Sequence, residues 1–207
     1  MMEVNLRLMQ TSDYEELLKL VIVTWDYRSW VQPELVYPMA EFFLSDLLQR
    51  SDHIVIATVD GTLAGVCAGD IIDFTKLQSF SRRQKLKALG EILQQTEKDS
   101  IFEKYIQTLA LDEVLLRESK HEFPASLNLL IVKEEYQGLG IGGKLYRDFC
   151  QYLKNNDVHS FYLYTDDSSD YRFYEHQKME KLAQKDFYWK PKQRAERETY
   201  FIYGKYS

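Results

Sequence analysis

The sequence predicts an α/β chain of the α+β type: a mixed central sheet flanked by helices, with an extra helical insertion at about 75–120, all in one domain over 1–207. Three observations carry this prediction. Apolar runs of strand period alternate along the chain with apolar stripes of helix period. A glycine-rich loop stands between one strand-like run and one amphipathic helix-like run. The length of 207 residues, with 45% hydrophobic and 28% charged side chains, suits one good core better than two.

Val4 to Met9 alternates apolar and polar residues, as a first strand does. Thr11-Ser12-Asp13-Tyr14-Glu15 then supplies helix-start chemistry, with Ser12 and Glu15 at capping-box spacing, for a helix to about Val23. Pro33 and Pro38 bracket a break, after which Phe42, Phe43, Leu44, Leu47 and Leu48 give a second helical stripe. Ile54 to Val59 and Leu63 to Ile72, joined by Asp60-Gly61, read as a hairpin. From about Thr75 to Lys120 the spacing turns helical, with Leu86, Leu89 and Leu93 on one face and Phe102, Tyr105, Ile106 and Leu109 on another. Leu127 to Val132 is a near-continuous apolar run that suits a strand covered on both faces. Ile141, Leu145, Phe149 and Leu153 recur every four residues as a helix stripe. Phe161 to Thr165 is a further strand, Asp170 to Gln177 a short helix, and Lys185 to Trp189 with Thr199 to Tyr203 a closing antiparallel pair.

Charge and composition narrow the function. A formal net charge of −6, from 26 basic and 32 acidic side chains, argues against nucleic acid as partner and favours a basic small molecule. The basic stretches at Arg82, Arg83, Lys85 and Lys87 and from Lys190 to Arg197 read as solvated faces. No run approaches a membrane span, and the opening residues lack a signal-peptide profile, so a cytoplasmic protein without a membrane partner is expected. Cys67 and Cys150 read as reduced thiols without metal-ligand spacing, and no metal is expected.

Four of the nine glycines, Gly138, Gly140, Gly142 and Gly143, fall within six consecutive positions. Such a loop lets several backbone N–H groups converge on an anion, and the following helix adds its free N–H groups and positive dipole end. Gly138, Gly140 and Gly143 also satisfy the dinucleotide pattern G-x-G-x-x-G. The context argues against that reading, because Lys133-Glu134-Glu135-Tyr136-Gln137 separates strand from first glycine and too little chain follows for a βαβαβ half. A nucleotide P-loop needs a hydroxyl after its lysine, whereas Leu145 follows Lys144. A plain connecting turn seldom needs so many glycines.

On these residues the chain resembles the GNAT superfamily of N-acetyltransferases, most strongly over Leu127 to Met179. In that family a bulged strand leads into a Gln/Arg-x-x-Gly-x-Gly/Ala loop, matched here by Gln137, Gly140 and Gly142. The resemblance implies that the loop residues Gln137, Gly138, Leu139, Gly140, Ile141, Gly142 and Gly143 bind the pyrophosphate of acetyl-CoA (coenzyme A). It also implies that Leu130, Ile131 and Val132 bond the pantetheine arm. The element order matches the family along nearly the whole chain, the 75–120 insertion being the departure.

A second match is Phe173-Tyr174-Glu175-His176-Gln177-Lys178-Met179, similar to the family's Phe-Tyr-Glu-x-x-Gly-Phe/Met, with Lys178 in place of the glycine. The resemblance makes Tyr174 the catalytic acid that protonates the departing thiolate. A phenol of ordinary pKa near ~10 can donate without being ionised at neutral pH. Read without the resemblance, Phe173 and Tyr174 have an alternative as an aromatic pair packing a short helix on the sheet. The expected reaction is direct attack of an amine on the thioester within a ternary complex, its oxyanion held by a backbone N–H of the Leu127–Val132 strand. No residue stands out as the base, since Glu134, Glu135, His121 and Glu122 all read as solvated.

As in relatives, the helix break would hold the acceptor, a small-molecule or peptide amine, and Trp25, Asp26, Tyr27 and Trp30 are the substrate-binding candidates. The tryptophans could equally anchor the break in the core. The expected partners are thus an amine and, at most, a second copy in a homodimer. Two other classes stay open, a non-catalytic acyl-CoA-binding module and an interaction protein that docks through the insertion.

Overall fold

The computed structural model describes residues 3–30, 33–72, 101–189 and 197–206. The chain divides into two compact units, residues up to Ile71 with Ala125–Val158, and Ile72–Pro124 with His159 onward. Leu86, Leu89 and Leu93 of the expected insertion lie outside the described residues.

In the first unit, β1 (Val4–Leu8), β2 (His53–Val59), β3 (Thr62–Ile71) and β4 (Ala125–Val132) lie in that order, each antiparallel to the next. The β2–β3 turn uses Asp60 and Gly61, both at positive φ, which matches the Asp-Gly signal read from the sequence. Helix α1 (Tyr14–Thr24) buries Leu17, Leu18, Leu20, Val21 and Ile22. A short α2 (Tyr27–Trp30) follows, and α3 (Val36–Gln49) buries Val36, Met39, Ala40, Leu44 and Leu47. The proline break is shifted from the expected position. Pro33 opens a single 3-10 turn before α3, whereas Pro38 sits inside the first turn of α3, where its missing N–H would have had no intrahelical acceptor.

Helix α5 (Ile141–Asn155) buries Ile141, Leu145, Phe149 and Leu153, as its four-residue spacing requires. Each contributes about 1.5–3 kcal/mol by leaving water. Gly69 of β3 is the point of closest approach: a Cβ there would overlap the Phe149 ring and lie 2.7 Å from the Ser126 carbonyl oxygen.

The helix start before α1 differs from the Ser12–Glu15 capping box. A 3-10 turn spans Thr11–Asp13, and Asp13 itself closes it by accepting the Gln10 N–H at 2.7 Å. Asp13, 7% exposed, is also gripped by both guanidinium nitrogens of Arg7 at 2.7 Å each. These hydrogen bonds hold its carboxyl below the usual range, against the opposing effect of burial. Asp13→Asn is expected to cost about 2–3 kcal/mol at neutral pH in urea unfolding. The stabilisation of a depressed carboxylate is present above its unfolded pKa of ~3.9 and is lost as pH falls through the lower folded value. The variant's deficit should therefore shrink in the same measurement once the pH drops below that range.

In the second unit, β5 (Ser160–Asp166), β7 (Arg197–Tyr206) and β6 (Glu180–Tyr188) pair antiparallel in that order. Helix α4 (Ile101–Ser119) is tied to β6 by the Glu118–Lys185 ion pair at 2.8 Å, and α6 (Arg172–His176) links β5 to β6. Because strand neighbours alternate faces, Asp166, Tyr200 and Lys185 share one face, as do Phe187 and Glu198 across the β6–β7 hairpin. Cys67 and Cys150 are both free thiols. Among the described residues no helix is long and apolar enough to cross a membrane.

Candidate active site

The glycine loop begins where β4 ends. Val132 pairs with Gly65, the Lys133 N–H bonds the Ala64 carbonyl at 2.8 Å, and a 3-10 turn covers Glu134–Tyr136. Gln137 folds back so that its side-chain amide reaches the Val132 carbonyl at 3.4 Å, which ties the loop to the strand. Gly138 and Gly140 then adopt φ of +77° and +72°, in the left-handed region where a side chain is strained, and Gly140 is the N-cap of α5.

This geometry leaves donors open. Among the described residues, none of the backbone N–H groups from Gly138 through Gly143 has an acceptor. Lys144 and Arg147 are exposed in the first two turns of α5, and among the described residues neither forms an ion pair. The Arg147 guanidinium lies against the helix start, 3.2 Å from where a Gly143 Cβ would be. Two cations at the positive end of a helix dipole are unfavourable unless an anion joins them. The residues present therefore fit a phosphate-bearing group. The sequence reading singled out the glycines and passed over Arg147, although its place four residues after Gly143, on the same side of the helix, is a usable signal.

The strand residues Leu130, Ile131 and Val132 pair with Cys67, Val66 and Gly65. Upstream the register slips between Ala68 and Gly69, so that Leu129 and Leu127 have partners and Asn128 has none. The Asn128 side chain anchors this bulge by donating to Ser51 Oγ at 3.1 Å and to Asp70 Oδ1 at 2.9 Å.

Tyr174 belongs to the second unit. Its half-buried ring sits edge-on to Phe173, with centroids 5.4 Å apart, and tilted over Tyr203 at 6.2 Å. Tyr203 is fully buried and donates its hydroxyl to Glu175 at 3.0 Å; burial first, and Glu175 second, push that hydroxyl above its ordinary pKa. The floor beneath Tyr174 thus stays neutral. His176 is exposed. The entry to α6 is set by Asp166, whose carboxylate accepts from the backbone and hydroxyl of both Ser168 and Ser169, while Asp167 instead accepts the Thr199 N–H.

The family model of the GNAT acetyltransferases matches residues 20–179. This chain belongs to the GNAT acetyltransferase family. Members of that family draw their acetyl group from acetyl-CoA, and the chain shares their fold with solved structures. The polyamine N-acetyltransferase of Drosophila melanogaster, an enzyme that forms N-acetylagmatine, is 13% identical at a TM-score of 0.68, over 99% of this chain and 100% of that one. A mosquito arylalkylamine N-acetyltransferase, like 5b, is 15% identical at 0.60, over 99% and 100%. The PaiA N-acetyltransferase of Thermoplasma acidophilum in complex with coenzyme A is 15% identical at 0.55, over all of both chains. No curated protein sequence matches.

In the GNAT motif around Tyr174, Lys178 stands where glycine is usual, and it adopts φ +58° while its N–H bonds the Glu175 carbonyl. It closes α6 in the conformation glycine prefers. Lys178→Gly should relieve about 1 kcal/mol of strain and raise the melting temperature by roughly 2–4 °C, as thermal unfolding would show.

The expected acceptor residues are spread over the α1–α3 connection. Trp25 packs edge-on against Phe43 at 4.8 Å. Asp26 is exposed at φ +44°, its carbonyl accepting the N–H and the hydroxyl of Ser29. Tyr27 is only 2% exposed, and burial pushes its hydroxyl above the ordinary pKa. The side chain of Trp30 lies outside the described residues. Within the first unit, the loop and β4 form one continuous segment, while Trp25 packs on α3; Tyr174 lies in the second unit.

Proposed function

We propose that this GNAT-family chain is an N-acetyltransferase that moves the acetyl group of acetyl-CoA to an amine by direct attack in a ternary complex. The observation that supports it best is the run of N–H groups from Gly138 to Gly143 that have no acceptor among the described residues, flanked by Lys144 and Arg147. Those N–H groups and both cations hold the pyrophosphate, and the backbone of Leu130, Ile131 and Val132 takes the pantetheine arm. Bound there, acetyl-CoA supplies an acyl group already activated as a thioester.

A backbone N–H of β4 stabilises the charge that grows on the acyl oxygen as the amine attacks. The Tyr174 hydroxyl gives its proton to the departing sulfur, and the edge-on contact with Phe173 and the tilted contact with neutral Tyr203 fix where that hydroxyl points. The amine must lose a proton before or during attack, through water or a solvated carboxylate, because an ammonium near pKa ~10 has no free electron pair.

A small cationic amine is the acceptor favoured by the chain's net charge of −6 and by the structural neighbours named for polyamines and arylalkylamines. The Trp25–Trp30 segment contributes to acceptor binding, with exposed Asp26 beside Trp25 as its polar element and buried Tyr27 as support. A screen of coenzyme A thiol release against polyamines, amino acids, aminoglycosides and peptides tests the reading. Saturable release with at least one amine, with the acetylated product seen by mass spectrometry, is expected. Acetyl-CoA binding without release for any amine would assign the chain to a non-catalytic binding module.

A further inference from the structure

Helix α6, which carries Tyr174, is five residues long, well below the length of about 12 residues at which a helix begins to hold itself together in water. Contacts at its end must therefore fix it, and that end closes on Tyr174 itself. The Met179 N–H bonds the Tyr174 carbonyl at 3.1 Å and the Lys178 N–H bonds the Glu175 carbonyl at 2.9 Å, the two bonds of a Schellman turn. Such a turn needs left-handed backbone at its C′ position, and Lys178 occupies it at φ +58°, where a β-carbon is disfavoured. A helix end also leaves its last carbonyls without intrahelical donors. Lys205 of β7 supplies one: its Nζ donates to the Gln177 carbonyl at 2.6 Å and to the Lys178 carbonyl at 3.4 Å. Strand alternation sets this contact. Tyr203 and Lys205, two apart on β7, share a face, and on that face Tyr203 donates to Glu175 at 3.0 Å while Lys205 reaches the turn. Lys181 of β6, opposite Tyr203 in the register, lies 3.9 Å from the same Glu175 oxygen and 4.1 Å from the centre of the Phe201 ring. All of these residues belong to the second unit.

Resting on the proposed role of Tyr174 in acetyl transfer, we infer that Lys205 is a positioning residue for Tyr174, clamping the left-handed turn that replaces the family's glycine with Lys178. The lysine side chain at 178 resists positive φ, and a charge-assisted bond from a cation at the negative end of the helix offsets that resistance. The clamp passes to Tyr174 through the backbone, because the Met179 N–H that grips the Tyr174 carbonyl follows directly on the two residues Lys205 holds. A frayed turn would let the phenol swing over Tyr203, and a proton donor misplaced by about 1 Å can lose much of its effect. Lys205 acts on the backbone of α6 and not on the reacting atoms. Glycine at 178 would take the same turn unstrained and depend less on the clamp.

The test uses Lys205→Met, which keeps the aliphatic stem and removes the ammonium; Lys205→Gln takes its place if that variant does not fold. Amide hydrogen exchange at Met179 should quicken at least tenfold, a measurement that needs no acceptor. With an amine that wild type acetylates, kcat should fall about tenfold while KM for acetyl-CoA and coenzyme A affinity by calorimetry stay unchanged. Lys205→Arg, which keeps the charge and the donors, should recover most of the rate. In a Lys178→Gly background the loss caused by Lys205→Met should shrink. In a Tyr174→Phe background it should vanish, since no hydroxyl is left to misplace, whereas a merely structural Lys205 predicts the same loss in both. Faster exchange at Met179 in a chain that acetylates no amine would uphold the clamp and overturn acetyl transfer. Exchange as slow as in wild type would overturn the clamp whether or not an amine is acetylated. An unchanged kcat, or a loss that persists in full with Tyr174→Phe, would overturn the inference and leave acetyl transfer standing.

Discussion

Coenzyme A binding should be lost when Gly140 is replaced by aspartate. Gly140 sits at φ +72° as the N-cap of α5, between N–H groups that have no acceptor among the described residues. Open space surrounds the position where its Cβ would be, so the substitution introduces no clash within the protein. Two effects remain. The left-handed backbone strains any side chain by about 1–2 kcal/mol, and the new carboxylate occupies the positive end of the helix in place of the phosphates. An aspartate there can accept the very N–H groups the ligand needs, as an N-cap does. The fold should persist, with calorimetry of the folded variant detecting no coenzyme A binding. Unchanged affinity would remove the phosphate cradle from the functional reading.

The second large effect concerns Tyr174→Phe, which should lower turnover about 10²- to 10⁴-fold while leaving coenzyme A affinity nearly unchanged. Only the hydroxyl is removed. The ring contacts with Phe173 and Tyr203 do not depend on it, so the helix should stay in place. A loss in kcat with KM for acetyl-CoA held steady is the pattern of a group that acts only as sulfur departs. Wild-type turnover in this variant would make Tyr174 a packing residue and transfer the proton to water.

Much of the fold was legible because it rests on local patterns. The spacing of Ile141, Leu145, Phe149 and Leu153 placed a helix whose four named residues are all buried. Asp60-Gly61 marked a hairpin whose two turn residues adopt the positive φ that this pair tolerates. The cluster of glycines marked a loop whose backbone takes conformations that side chains disfavour, and Gly138 and Gly140 adopt positive φ there. Local signals also misled where a tertiary partner intervened. Ser12 has the chemistry of a cap, yet Asp13 closes the turn, because Arg7 of β1 holds its carboxylate in place.

The sequence by itself determined the order of the seven described strands, the stripe of α5 and the glycine loop, since each depends on residues within about ten positions and on backbone preferences that no distant contact needs to supply. Only the tertiary structure decided which side chains meet. Trp189, Glu198 and Tyr200 converge because the β6–β7 register sets Phe187 opposite Glu198, and a slip of one residue would have turned Glu198 to the other face. Tyr203 lies under Tyr174 because β7 passes beneath α6, and nothing in the chain between Glu175 and its donor Tyr203, 28 positions further on, announces that pairing. Strand register and helix seating follow from the burial of the whole core, so the side-chain partners they create are properties of the folded chain rather than of any segment read alone.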